Sequence, residues 1–386
     1  MSVINIKNLH NRRDNSSGFS LMELLVTMVI SGIFGIIVIQ SYSISTKLAT
    51  NIGLTSNFNS TISAIQIYLK KELIGAGSGI ADPGNGLPKY FGIRSVNNAN
   101  CTSNSFLQNI ICGTSTGLPK VLAGSDVIAI NSALPFGIFG QFGSSTSGIN
   151  DNLHYAVNVV SADSSNIQTE VPNPFFNNST LYLNSLIVAY NLTDKANVLI
   201  GQVTGFSSPD TIKYTKINDY MLGKGVNIST ITSGSNVRVA LFNGVVIYLS
   251  EQGDLISLIL GPGTSAGVRY RNAKIIATGV DDFQLRYGFT TATGLLWSNT
   301  INFSNSANSN HISKLKIIKV AFVLSNHSYK VCRNIADGDK PSFSLFGHTV
   351  KPLANKNSVN SLKDPCKFRV TTFNVAPYNY LYNNNN

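Results

Sequence analysis

The first group of residues that could perform chemistry is Gly263-Thr264-Ser265-Ala266-Gly267. The spacing G-x-S-x-G is that of a nucleophile elbow, a strained turn between a strand and a helix that exposes a catalytic serine. The apolar run 255–260 before it is typical of a strand, but Lys274-Ile275-Ile276 after it is also typical of a strand. We therefore interpret Gly261-Pro262-Gly263 as a hairpin turn and expect no enzyme activity. A membrane-anchored hydrolase that uses Ser265 is the competing hypothesis.

A second group lies at Asn334-Ile335-Ala336-Asp337-Gly338-Asp339, where two carboxylates flank a glycine. A calcium loop needs oxygen ligands at alternating positions and a glutamate further along, and this segment has neither. The cysteines lack the spacing of a zinc site, and the sequence contains no phosphate-binding loop. The sequence therefore predicts a surface turn at 334–339, and neither a metal nor a cofactor.

Glu23 is the third candidate, because it is the only charged residue in the 21-residue run Phe19–Ile39. As a helix with about 1.5 Å of rise per residue, this run is about 32 Å long and can cross a bilayer core of about 30 Å. A carboxylate at the bilayer centre costs about 2.5–3.5 kcal/mol, which indicates a function. Two interpretations are open: Glu23 reaches the lipid headgroups one turn away, or it pairs with a partner inside the membrane.

The residues that precede the apolar run indicate its orientation across the membrane. Lys7, Arg12 and Arg13 lie before it, whereas the long segment after it is polar and mixed. The positive-inside bias predicts a single-pass protein of the inner membrane with its N-terminus in the cytoplasm and the bulk of the chain outside. The Gly18-Phe19 junction also precedes the apolar run, whereas a secretory signal is cut after its apolar region.

The segment Gly18-Phe19-Ser20-Leu21-Met22-Glu23, followed by an uninterrupted apolar helix, resembles the class III leader of type IV pilins and pseudopilins. The resemblance implies that a prepilin peptidase cuts between Gly18 and Phe19, removes the leader 1–18 and methylates the new amine of Phe19. It also implies that Glu23 pairs with the N-terminal amine of a neighbouring subunit. A buried carboxylate and a buried ammonium do cost less together than either does unpaired.

The helix pattern continues beyond the membrane segment. Apolar residues recur mostly at spacings of three and four as far as Leu73, and no proline interrupts Phe19–Gly75. The sequence therefore predicts one helix over 19–75, of which 19–39 is the transmembrane and assembly segment. The glycine cluster Gly75–Gly79 is expected to end it.

Residues 76–386 are expected to form a periplasmic, β-rich head, because apolar runs alternate there with turns rich in Gly, Asn and Ser. The fold class is therefore α+β, a long N-terminal helix packed on a large antiparallel head. The predicted strands are Val127–Ile130, Leu181–Tyr190, Val198–Val203, Val237–Leu241, Val245–Leu249, Leu255–Leu260, Phe283–Phe289, Lys316–Val323 and Phe368–Phe373. Gly143–Asn150 and Thr300–Ser309 are predicted to be loops.

Four cysteines allow three disulfide connectivities, which the sequence alone does not decide. Cys101 and Cys112 flank a short loop, and Cys332 and Cys366 flank a longer one. In an oxidising periplasm we expect these two pairs to form disulfides, with buried free thiols as the alternative.

Composition also bears on partners. The formal net charge is +11, and only 12% of the residues are charged. The segment His311–Asn386 has eleven Lys or Arg against three Asp, which would suit an anionic partner such as nucleic acid. We favour solvated strand faces and edge lysines instead, because the basic residues are scattered.

Several head segments resemble PilW-type minor pilins. These are Glu72–Gly77, Gly124–Ile130, Val280–Gly288, Lys319–Ser325 and Phe368–Thr372. The resemblance implies a minor pilin of a type IV pilus that helps initiate assembly in a tip complex, with roles in twitching motility and cell adhesion. Its implied partners are the prepilin peptidase, other minor and major pilins, the inner-membrane assembly platform, the membrane and a tip adhesin.

Two other functions compete with this one. A pseudopilin of a type II secretion system would have the same leader and helix. A DNA-binding subunit of a DNA-uptake pilus would need the basic C-terminal third to bind DNA with a steep dependence on salt.

Overall fold

The computed structural model describes residues 20–78, 92–102, 107, 111–112, 117–134, 157–169, 183–191, 198–217, 237–262, 268–302, 307–325, 342–350 and 368–377. Several predictions fall outside these residues: the cleavage site Gly18-Phe19, the loop Gly143–Asn150, Ser265, the turn 334–339, and Cys332 with Cys366.

The N-terminal helix, α1, spans Leu21–Ile74, within one or two residues of the predicted bounds. Contacts within the chain divide it after Asn57 into two units. In the first unit, every side chain from Ser20 to Ala49 is exposed. In the second, α1 buries an apolar stripe at spacings of three and four, formed by Phe58, Ile62, Ile65, Leu69 and Leu73.

The head consists of antiparallel strands. The described strands are β1 Ile93–Val96, β2 Val127–Leu134, β3 Val157–Ala162, β4 Asn166–Thr169, β5 Leu186–Asn191, β6 Val198–Ser208, β7 Thr211–Lys216, β8 Val237–Leu249, β9 Leu255–Pro262, β10 Val268–Ala277, β11 Val280–Thr291, β12 Gly294–Ser298, β13 Leu315–Ser325, β14 Phe343–Leu345, β15 His348–Val350 and β16 Phe368–Val375. A long helix followed by an antiparallel β-rich head confirms the predicted fold class.

The larger sheet is organised around β8. The C-terminal half of β8 pairs with β2 and with β9, and its N-terminal half pairs with β3 and with β5. The pairings run from β8 through β3, β4, β7, β6 and β5 and return to β8, which closes a ring. Strands in a closed ring have no open edge. The edges of this sheet are therefore β1 and β10.

The smaller sheet has the strand order β12-β11-β13-β16, and β14 and β15 form a separate hairpin. One buried cluster combines the ring strands with Ala99, Leu107 and Ile111. A second cluster joins α1 to both sheets, through Ile65 and Leu69 on the helix and Phe283 and Phe322 on the smaller sheet. After the helix, the Gly77 N–H donates to the carbonyl oxygen of Asn131 at 2.7 Å, which ties the helix end to β2.

Two of the predicted strands are in fact one. Val237–Leu241 and Val245–Leu249 are joined in β8, although Asn243-Gly244 between them is a turn signal. The prediction was wrong because Asn243 and Gly244 pair with Ser132 and Asn131 of β2, so the ladder continues through them.

Other boundaries also differ from the predictions. Leu183 and Asn184 form a turn, so β5 begins at Leu186 and not at Leu181. Asn302 makes an isolated bridge with His311 inside a region predicted to be a loop. The short strands β1, β3, β4, β7, β12, β14 and β15 were not predicted.

Candidate functional site

The described part of the assembly segment begins with a hydrogen bond between Ser20 and Glu23. The Ser20 backbone N–H donates to Glu23 Oε2 at 3.0 Å, and the Leu24 N–H donates to the Ser20 carbonyl at 3.1 Å, which opens α1. This is the carboxylate half of a capping box, S-x-x-E, in which the third helical residue satisfies the N–H of the cap. It also places a negative charge at the positive end of the helix dipole.

The capping role of Glu23 was missed in the sequence, although Ser20-Leu21-Met22-Glu23 is the usual signature of a capping box. The two interpretations considered there concerned lipid headgroups and a partner subunit. The structure adds a third contact, within the same chain. The carboxylate is therefore oriented at the start of the helix before any partner arrives.

The apolar surface of α1 is long. Leu21–Ala49 comprises 29 residues and includes an 18-residue stretch with a mean hydropathy of 2.4, so by length and composition it can cross a membrane. The large side chains along it, including Met28, Phe34 and Ile39, are exposed in the isolated chain. Such a surface requires lipid or other apolar helices to cover it.

Asp126 joins the two sheets of the head. Its side chain is buried, its Oδ2 accepts the Leu285 N–H at 2.7 Å, and its Oδ1 accepts the Asn98 N–H at 3.1 Å. Its own N–H donates to the Phe283 carbonyl at 2.9 Å. Asp126 thus fixes the start of β2 against β11.

Gln284 adds a second link at the same place. Its Nε2 donates to the Gly124 carbonyl at 2.9 Å and to Asp282 Oδ1 at 3.0 Å. The segments Gly124–Ile130 and Val280–Gly288 are therefore in direct contact. We call Asp126, Asp282 and Gln284 the head clamp.

Burial is the main influence on the pKa of the two aspartates of the head clamp. It raises the pKa of Asp126 to about 7 although two N–H groups lower it, and the charge of Asp282 raises it further. Burial likewise raises the pKa of Asp282 to about 6 against the hydrogen bond from Gln284. Because the folded state binds protons more tightly at these carboxyls, their contribution to stability is largest below pH 4 and falls as the pH rises to about 7.

We expect the melting temperature of the full chain in detergent to fall between pH 4.5 and pH 7.5, and Asp126→Asn to flatten this dependence. Asp163 and Asp210 provide no comparable effect in this pH range, because hydrogen bonds to their side chains lower their pKa to about 2. Thermal unfolding at a series of pH values, with Asp163→Asn as the control, measures the difference. An unchanged slope in Asp126→Asn would contradict this assignment.

In the structure a disulfide joins Cys101 and Cys112, with the Cα atoms 5.7 Å apart. The loop that it closes packs on the ring through Leu107 and Ile111, which are fully buried. The disulfide therefore encloses two side chains, Leu107 and Ile111, that belong to the buried core of the head. Cys332 and Cys366 lie outside the described residues, so their pairing stays a prediction.

Removing this disulfide should destabilise the head. We expect Cys112→Ser to lower the free energy of unfolding by about 3 kcal/mol, because closing a loop of this length restricts the unfolded chain by about that amount. Urea unfolding of the detergent-solubilised chain measures the loss. The double variant Cys101→Ser/Cys112→Ser should lose the same amount as the single one, since both lack the same cross-link. A loss below about 0.5 kcal/mol would contradict the prediction.

The strands around the G-x-S-x-G segment form a hairpin. Pro262 at the end of β9 lies opposite Val268 at the start of β10, and the two strands are antiparallel. A nucleophile elbow leads from a strand into a helix, so this geometry does not support a catalytic role for Ser265. Within the described residues, no three His, Cys, Asp or Glu side chains are grouped to hold a metal ion.

Several basic residues of the C-terminal region make contacts within the chain. Lys314 Nζ donates to the Asn308 carbonyl at 3.1 Å, and Lys319 Nζ lies 5.7 Å from the ring centroid of Phe346. These contacts indicate that Lys314 and Lys319 contribute to the packing of the head.

Comparison with known proteins supports the interpretation of the N-terminus. The model of the prokaryotic N-terminal methylation motif matches residues 13–39, a segment that contains Gly18, Phe19 and Glu23. The N-terminal segment therefore carries a methylation motif of the prepilin type. For a pilin-like chain, this motif implies processing by a prepilin peptidase, anchoring in the membrane and assembly with other pilins.

No curated protein matches the chain at a significant level. Among solved structures, a type IV-like pilin from Thermus thermophilus matches 52% of this chain and 91% of its own length. The sequence identity is 14%, and the TM-score is 0.20.

Proposed function

We propose that this pilin-like chain is a minor pilin that helps to start assembly of a type IV pilus and remains in its tip complex. The observation that supports this most is the methylation motif over residues 13–39, followed directly by the 54-residue helix α1. The leader 1–18 is removed in the inner membrane, and α1 then leaves the bilayer to pack among the helices of the fibre. The head faces the periplasm and later the cell surface.

The size of the head favours the tip over the shaft. The head, predicted over residues 76–386, contains most of the 386 residues of the chain. A bulky head can be accommodated at the end of a fibre, whereas in a repeating shaft each head must fit against several copies. A PilW-type assignment is supported by the two head segments that resemble this group and that are held together by Asp126.

In this proposal the chain is a structural subunit without catalytic activity. The antiparallel pairing of β9 with β10, the strands that flank Ser265 in the sequence, supports this. Other minor pilins, major pilins and the assembly platform are its partners. Twitching motility and adhesion, through a tip adhesin, depend on the fibre that it helps to initiate.

Deletion of the gene tests the proposal against the second candidate, a type II secretion pseudopilin with the same N-terminal motif. We expect deletion to reduce surface pili at least tenfold and to leave exoprotein secretion intact. Sheared-fibre yield and secreted-enzyme activity, each restored by a plasmid copy, are the measurements. Normal pili with blocked secretion would assign the chain to a pseudopilus instead.

A further inference from the structure

The two larger described sheets have four open edges, and β16 differs from the other three. β1 has four residues and β12 has five. β10 is longer, but its pairing with β9 shifts register twice. Short strands and bulges are the usual ways in which proteins prevent an edge from pairing with another chain.

β16 has none of these protections. All eight of its residues pair with β13 without a shift in register. Its centre, Val370-Thr371-Thr372, is β-branched, which favours extended backbone. Among the described residues, no strand pairs with the other side of β16. The strand therefore presents a straight row of backbone donors and acceptors of the kind that a further strand can join.

The position of β16 connects this edge to the helix. Arg369 Nη1 donates to Asn59 Oδ1 at 2.6 Å, and Lys70 Nζ lies 5.8 Å from the ring centroid of Phe373. The two helical residues are about 16 Å apart along the helix axis, and the two strand residues are about 13 Å apart. β16 therefore runs beside α1 for about three turns.

The helix surface next to β16 is also exposed. Asn59, Ser63 and Lys70 face solvent there, and 70% of Ile67 is exposed. A subunit that packs along this part of α1 would be brought beside the open edge of β16.

The charge of the region selects the partner. Phe368–Val375 contains Arg369 and no acidic residue, and Lys70 and Lys71 are exposed on the adjacent helix. The other described edges do not complement it, because β1 and β10 carry only basic charges and β12, β14 and β15 contain no Asp, Glu, Lys or Arg. A second copy of this chain is therefore a poor fit.

We propose that β16 is a docking edge, to which a β-strand with acidic side chains on the head of a neighbouring, different pilin-like subunit is added. The inference rests on the proposed function, since fibre assembly through α1 brings the neighbour into place. Backbone hydrogen bonds supply the attachment, and the basic residues beside β16 supply the selectivity.

Site-specific photo-crosslinking in piliated cells tests the docking edge. The full-length chain carries a benzophenone amino acid at Thr372 on β16 or, as the matched control, at Ala273 on β10, since both positions are exposed. We expect Thr372 to give an adduct with a head strand of another chain that has the methylation motif, and Ala273 to give several-fold less. Mass spectrometry of the adduct identifies the peptide.

Two variants of opposite charge at Asn374 test whether the partner strand is acidic. Asn374→Asp should lower the adduct yield from Thr372 by about 1.5- to 5-fold, because like charges on facing strands repel, whereas Asn374→Lys should not lower it. Equal effects of the two variants would overturn the charge argument. An adduct with a second copy of this chain would also overturn the proposal, as would equal yields from Thr372 and Ala273.

The same cells separate this inference from the proposed function. A processed chain that is present in sheared fibres but gives no strand adduct at Thr372 would reject the docking edge alone. An uncut chain that is absent from fibres would reject the proposed function and, with it, the docking edge.

Discussion

Gly18→Val should leave the chain uncut. In the proposed function a prepilin peptidase cuts at the Gly18-Phe19 junction, so a branched side chain immediately before the cut should block cleavage almost completely. The uncut chain keeps its leader with Lys7, Arg12 and Arg13 and still inserts, because the apolar run and its basic flank are unchanged. Without cleavage the amine of Phe19 is never released, so fibre assembly should fail as well.

Intact-mass spectrometry of the membrane-fraction protein measures this result. The wild-type chain should begin with methylated Phe19, and Gly18→Val should begin at Met1 with similar abundance. Gly18→Ala is the matched control, because the smaller change should retain part of the processing. Normal cleavage of Gly18→Val, or a wild-type N-terminus elsewhere, would contradict the pilin-like assignment.

The helix and the fold class could be predicted because both depend on local patterns. The apolar run that ends at Ile39 and the stripe that ends at Leu73 each repeat within a few residues, and the turn signals of the head lie between its strands. Such patterns act at short range, so one sequence is sufficient to detect them.

The errors in the head come from long-range pairing. Asn243-Gly244 has the composition of a turn, but Asn131 and Ser132, over a hundred residues earlier, hold it in β8. The strand β4, Asn-Ile-Gln-Thr, has little strand character and is formed between β3 and β7. The secondary structure of such segments is determined by their tertiary contacts, which cannot be read from local propensity.

The residues of the candidate site also differ in whether the sequence alone could reveal them. Glu23 was identified from its own surroundings, because a single carboxylate in an apolar run is visible in the sequence. The head clamp was not identified, because Asp126 and Leu285 meet only after the two sheets have packed. An isolated aspartate before a strand gives no sign of which backbone group it will bind.

Glu23→Val should abolish most fibre assembly without reducing insertion into the membrane. The valine removes a charge that is unfavourable in the bilayer, so the variant should insert at least as well as the wild-type chain. In the proposed fibre, however, the ammonium group of a neighbouring Phe19 would lose its carboxylate in a low-dielectric surrounding. An uncompensated buried charge costs about 3–5 kcal/mol, which corresponds to a loss of docking of more than a hundredfold.

Glu23→Gln separates this pairing from the capping contact with Ser20. Glutamine can accept the Ser20 N–H as the carboxylate does, because both side chains serve in capping boxes. It has no charge for a neighbouring ammonium. We therefore expect Glu23→Gln to assemble as poorly as Glu23→Val, with sheared-fibre yield and membrane-fraction abundance measured together. If glutamine alone restored assembly, the capping contact would be the function of Glu23; wild-type yields from both variants would show that Glu23 has no part in docking.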